Sequence, residues 1–121
     1  MRIVRDVAVL KLDTPNRNGR VYPTDEVRWA ITRLDRQLYG TVDPEAWTGS
    51  LEDASHFAYN PVISNGHLMC DIAILDTPLG HILDQYFDIM EFHPDGMGTV
   101  NPQGVVTNYE LRYINAMPRG G

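Results

Sequence analysis

The sequence predicts an α+β domain. Three observations carry this: a β-branched opening segment, two stretches with apolar residues at helical spacing, and an Asn-Gly hairpin between those stretches. A chain of 121 residues can bury roughly two-thirds of its unfolded surface around one core, so a single domain over 1–121 is expected. Hydrophobic residues at 43% and charged residues at 21% are ordinary globular proportions and argue against disorder along the whole chain.

Residues 2–12 mix Ile3, Val4, Val7, Val9 and Leu10 with charges, and the β-branched side chains favour a strand. The strand runs into the stretch NRNGRVYP, Asn16 to Pro23. Asn and Gly tolerate positive φ there and Pro cannot donate to a ladder, so the stretch is a turn. From Thr24, the residues Val27, Ala30, Ile31, Leu34 and Leu38 form the stripe of an amphipathic helix. Thr24 is its expected N-cap, Asp25 and Glu26 suit its first turn, and Gly40 is its expected stop.

Residues 40–54 are rich in Gly, Pro and acids and read as a loop. His56 to Ile63 reads as a short strand, and Ser64-Asn65-Gly66 as a hairpin turn. In the next run, Leu68, Cys70, Ile72 and Ile74 alternate with Met69, Asp71, Ala73 and Leu75. Apolar residues on both faces mark a central strand. Thr77 is the expected N-cap of a second helix with Pro78 in its first turn, where the missing N–H costs nothing. Leu79, Ile82, Leu83, Tyr86, Phe87 and Met90 would give that helix a broad apolar face. Residues 92–104 have loop composition, residues 105–118 read as a last strand, and 117–121 as a frayed tail.

A formal charge of −6 and a pI near 5.0 disfavour nucleic acid or an anionic membrane as partner, since both need a concentrated basic surface. The opening apolar run is too short and too charged for a signal peptide or a membrane span, which leads us to expect cytoplasmic synthesis. Cys70 is the sole cysteine and lies in an alternating run, so a buried thiol is expected and an intrachain disulfide is excluded. His56, His67, His81 and His93 include no close pair of the kind zinc sites use. The acids Asp43, Glu45, Glu52 and Asp53 lack the ligand alternation of a calcium loop, and Gly96-Met97-Gly98 is too short a motif to cradle phosphate. Neither a metal nor a cofactor is expected. Ser55 and His56 are adjacent, and neighbours on a strand point to opposite faces, so they are not expected to pair as nucleophile and base.

Two motifs bear a resemblance to a known family. Asn16, Asn18, Gly19, Arg20, Tyr22 and Pro23 match N-x-N-G-R-x-Y-P ahead of the first helix. Ile74-Leu75-Asp76-Thr77-Pro78-Leu79-Gly80 matches a segment joining a central strand to a second helix. In these motifs and their order the chain resembles the prohead (capsid maturation) serine protease family of tailed phages over about residues 3–117. The resemblance implies the fold of the phage and herpesvirus maturation proteases, a small bent β-barrel or sheet with two main helices.

In that family the general-base histidine follows the first helix in a segment of the type G-E-L-x-H-P. The nucleophile follows the second helix in S-S-R-G-x-G. Here Asp43 stands where the histidine is expected, and His93 and Pro94 stand where the serines are expected. The resemblance therefore implies the fold and argues against the activity. The expectation is a phage virion structural protein, made in the host bacterial cytoplasm and carried in the capsid. It would bind the major capsid protein or other virion proteins as a decoration or cement protein, with a homo-oligomer on the lattice compatible with that role. Trp47, Phe57, Tyr59 and Phe92 are candidate contacts, with core packing the alternative for Phe57 and Tyr59. Two alternatives stand beside it: an active maturation protease with an atypical site, using His56 or His93 with Ser50 or Ser55, and a neck, tail or assembly component.

Overall fold

A computed structural model of the chain describes residues 1–120. In chain order the elements are β1 (Arg2–Lys11), α1 (Thr24–Thr32), β2 (Leu38–Gly40), β3 (His56–Ser64), β4 (His67–Ile74), α2 (Pro78–Tyr86), β5 (Met90–Val100) and β6 (Val106–Pro118). The domain is α+β, as expected. Its strands form a four-stranded sheet in the order β1-β4-β3-β2 and a two-stranded β5-β6 sheet, all pairs antiparallel. Ala116 N donates to Thr41 O, joining β6 to the end of β2, and Val106 N donates to Val21 O, tying β6 to the segment ahead of α1. Among the described residues the two sheets do not close into a barrel.

The β3–β4 hairpin forms where the sequence places it, because Asn65 (φ 53°) and Gly66 (φ 76°) supply the left-handed pair that a tight turn needs. β4 lies between β1 and β3 and is buried from Cys70 to Ile74, so its apolar residues on both faces have a use. The core runs from it through Val9, Val27, Leu38, Leu83, Phe92 and Ile114.

Several expectations fail locally. The helix expected to run to Leu38 ends at Thr32, and Leu38 instead pairs with Ala58 as the start of β2. Gly40 is then no helix stop but a strand residue, because a Cβ there would lie 1.6 Å from Ile114 O. Pro23, not Thr24, is the N-cap of α1, and Thr24 donates from both its N–H and its hydroxyl to the carboxylate of Asp13. The predicted loop at 92–104 is largely strand, since Phe92 to Val100 belong to β5, and only the turn around Asn101 to Gly104 remains. Gly96 and Gly98 sit in that strand because β6 approaches closely: a Cβ at Gly96 would lie 2.3 Å from Glu110 O.

α2 begins as read, with Thr77 Oγ1 accepting from Gly80 N at 3.0 Å and donating to Ala54 O at 2.7 Å. Its apolar face is narrower than the spacing suggests: Gly80 and Leu83 are buried, whereas Ile82 and Tyr86 are exposed. Met90 has left the helix for β5. The expected tail is ordered further than read, with Met117 and Pro118 paired to Glu91 and Met90; Gly121 lies outside the described residues.

Candidate functional site

The turn that carries the first motif is built by one side chain. Asn16 Oδ1 accepts from Asn18 N at 2.9 Å and from Arg20 N at 3.0 Å, and Asn16 N donates to Arg20 O. Gly19 takes φ 75°, a region its side-chain-free backbone enters without strain. Tyr22 then packs edge-on against Tyr109 at 5.3 Å between centroids, and Pro23 O accepts from Val27 N to start α1.

This turn forms one wall of a cleft of about 470 Å³ whose other wall is β5, with Glu91, His93 and Pro94 facing the opening. The Glu91 carboxylate lies 3.0 Å from His93 Nε2. That hydrogen bond, with charge from His93 and Arg17 adding to it, holds the Glu91 carboxyl below its ordinary pKa. Arg20 of the motif and Arg17 at its variable position line the same cleft. The described residues lining it include an acid, an imidazole and the Tyr22 phenol, but neither Ser, Thr nor Cys.

Asp43 belongs to an exposed loop after β2. Buried Thr41 anchors that loop: its N donates to Asn115 Oδ1 at 3.1 Å, and its hydroxyl accepts from Asp43 N at 3.2 Å. Asn115 is also the cross-strand partner of His93. The fold therefore brings the segment carrying Asp43 to one edge of β6 and His93 to the other, two strand spacings or about 10 Å apart in backbone. Asn115, which joins the two segments, belongs to no motif that would have singled it out in the sequence.

A second group of polar residues is sealed inside. Ser55 and His56 are both fully buried, and Ser55 Oγ lies 2.6 Å from His56 Nδ1. This corrects the expectation that strand neighbours cannot meet. Alternation governs side chains within a strand, but β3 begins at His56, so Ser55 just ahead of it is free to turn its Oγ toward Nδ1. His56 Nε2 lies 2.6 Å from the carbonyl oxygen of Ile114, which can only accept. Nε2 therefore carries the proton, and Nδ1 accepts from the Ser55 hydroxyl.

The His56 ring meets Phe92 edge-on at 5.1 Å, and a Cβ on Gly40 would lie 2.7 Å from Nε2. Burial in these surroundings pushes the imidazole pKa down to about 4, against a smaller opposing effect of the Ile114 carbonyl. Phe92 is accordingly a core residue with 4% exposure, also touching Phe87, and is no surface contact. Trp47 is half-buried, its indole N–H donating to Ser50 O at 2.9 Å. Phe57 and Tyr59 are half-buried in a row with Tyr39.

Cys70 is buried, and its thiol pKa is pushed up to about 12, first by burial and then by the charge of Asp71. That leaves it a thiol at neutral pH, without the thiolate that nucleophilic catalysis uses. The described residues contain no cluster of three or more His, Cys, Asp or Glu side chains arranged to hold a metal ion.

No family model matches the chain, and no curated protein matches it by sequence. Among solved structures it is similar to the bacteriophage T4 capsid assembly protease gp21, with a TM-score of 0.76 over 97% of this chain and 91% of that chain, at 16% sequence identity. The chain has the fold of a phage capsid assembly protease. The resemblance carried by the Asn16–Pro23 turn and the Thr77-Pro78 helix start thus corresponds to a shared fold over nearly the whole chain.

Proposed function

We propose that this chain is a phage virion structural protein, a protease-fold domain without catalysis that binds the major capsid protein and stabilises the head as a decoration or cement protein. The observation that carries the reading is the chemistry of the cleft beside the Asn16–Pro23 turn. His93 and Pro94 occupy the positions where the resemblance expects serines, and the described lining offers no Ser, Thr or Cys. Acyl transfer needs an activated oxygen or sulfur beside a base, and loss of the nucleophile removes most of the rate enhancement.

The Ser55–His56 pair does not replace it. Both residues are 0% exposed, so a scissile peptide bond has no path to Oγ. A retained fold with a vacated nucleophile position is better suited to binding than to hydrolysis. Repeated weak contacts on an assembled lattice would stabilise it by mass action, because they are complete only in the shell.

The test is co-expression with the cognate capsid precursor, combined with labelling of the purified chain by a fluorophosphonate. The proposal predicts an uncleaved precursor, an unlabelled chain and co-purification with assembled shells. Cleaved precursor together with a labelled serine would restore the enzyme reading.

A further inference from the structure

The chain is acidic overall, yet one cleft is cationic. It lies between the α1–β2 connection, the loop after β2, and β6, with a volume of about 330 Å³, and Arg36, Arg112, Tyr39, Trp47, Leu51 and Tyr113 line it. No carboxylate is among its lining residues. Arg112 is paired with Glu110 at 3.4 Å, while Arg36 lies over the Tyr113 ring at 5.8 Å and has no carboxylate partner among the described residues. Arg36 and Arg112 also border the adjoining groove, where Arg33 joins them against Asp35 and Glu110, so cations outnumber carboxylates on both sides of the pair.

The aromatic wall is already in place. Trp47 is held by its N–H bond to Ser50 O and by an edge contact with Tyr113 at 5.0 Å, and Gly49 at φ 86° turns the loop behind it. Leu51 stands at the cleft 57% exposed, an apolar side chain without cover. A rigid aromatic wall with charged donors beside it costs little ordering on binding.

We propose that this cleft binds an acidic segment of a partner polypeptide, one carboxylate meeting the guanidinium groups of Arg36 and Arg112 and a neighbouring apolar side chain lying against Trp47 and Leu51. Charge complementarity selects the occupant: the two guanidinium groups match a carboxylate in geometry. The cleft holds one or two side chains. A nucleic acid strand would need a longer cationic track than two arginines on a protein of charge −6 supply. The inference stands apart from the catalytic state of the chain and from its place in a particle.

The experiment is an NMR titration of the folded chain with the peptide acetyl-Glu-Leu-Glu-amide in 150 mM salt, read at the Trp47 indole N–H with Trp29 as internal comparison. A saturable shift at Trp47 is expected. Binding should weaken about tenfold or more with the glutamine peptide, with the Arg36→Gln/Arg112→Gln double variant, and with Leu51→Glu. Leu51→Glu changes only an exposed position, so it keeps the test valid should the double variant fold poorly. Equal binding of the glutamine peptide, or no response at Trp47, would overturn the proposal. Tighter binding of an oligothymidylate that displaces the peptide would overturn it in favour of a nucleic acid site.

Discussion

Ser55 donates its hydroxyl hydrogen to Nδ1 of His56, the next residue in the chain, across 2.6 Å in the fully buried interior. With Nε2–H donated to Ile114 O, every polar atom of the imidazole is satisfied while the ring is neutral. Protonating Nδ1 would place a charge in the core and turn the Ser55 hydroxyl into an acceptor, taking away the partner of its own hydrogen.

A pH dependence of stability follows. The folded-state pKa of His56 is about 4, below the 6.5 of the ordinary side chain, so the unfolded chain binds more protons in between. The stability owed to the neutral ring is whole above about pH 6.5 and is lost as pH falls toward 4. The loss is on the order of 3 kcal/mol for a shift of this size. Urea denaturation between pH 7.5 and 4.5 measures it, and nitrogen NMR of the imidazole should show the Nε2–H tautomer persisting at pH 5. A flat stability profile across that window would contradict the buried neutral ring.

Ser55→Ala should cost roughly 1–3 kcal/mol of stability, because it leaves a buried acceptor unsatisfied. It should change no proteolytic signal in any capsid-precursor assay. A serine that acts as nucleophile would show the opposite, a small effect on stability and a large one on cleavage.

Gly40→Ala should destabilise by more than about 3 kcal/mol, since overpacking against backbone cannot be relieved by a rotamer change. The added Cβ would fall 1.6 Å from Ile114 O and 2.7 Å from His56 Nε2, striking the group that fixes the imidazole. Thermal melting compares it with Gly49→Ala, where nothing lies within 4 Å of the new Cβ and only the backbone conformation is strained. Comparable melting temperatures for the two would show that β2 does not hold His56 against β6.

Gly19→Val and Tyr22→Ala should each lower stability by about 1–3 kcal/mol, the first through a β-branched residue forced to positive φ, the second through loss of the edge contact with Tyr109. Chemical denaturation checks both. Wild-type stability in the two variants would mean that the turn serves a partner and not the fold.

Local signals carried much of the architecture. Asn65-Gly66 announced its hairpin and Thr77-Pro78 its helix start because those residue types act through their own backbone geometry. Leu38 misled because it continues the helical stripe of Val27, Ala30 and Leu34, yet its partner is Ala58, twenty residues on and invisible to periodicity. β5 was hidden for a related reason: Pro94, Gly96 and Gly98 look like loop residues, and only the close approach of β6 explains the glycines. At the site, the resemblance singled out Asp43 and His93, but that their segments flank β6 at Asn115 depends on strand order, which no local pattern encodes. The Ser55–His56 bond was missed because the alternation rule was applied across the start of β3, which begins only at His56.

The measurement that bears most directly on the proposed role is quantitative mass spectrometry of the virions to which the proposal assigns the chain, counting it against the major capsid protein. The account predicts an intact chain at a copy number near that of the capsid lattice, and shells that melt at a lower temperature when it is removed. Absence of the chain from particles whose capsid protein has been proteolytically trimmed would contradict it and point to a working protease.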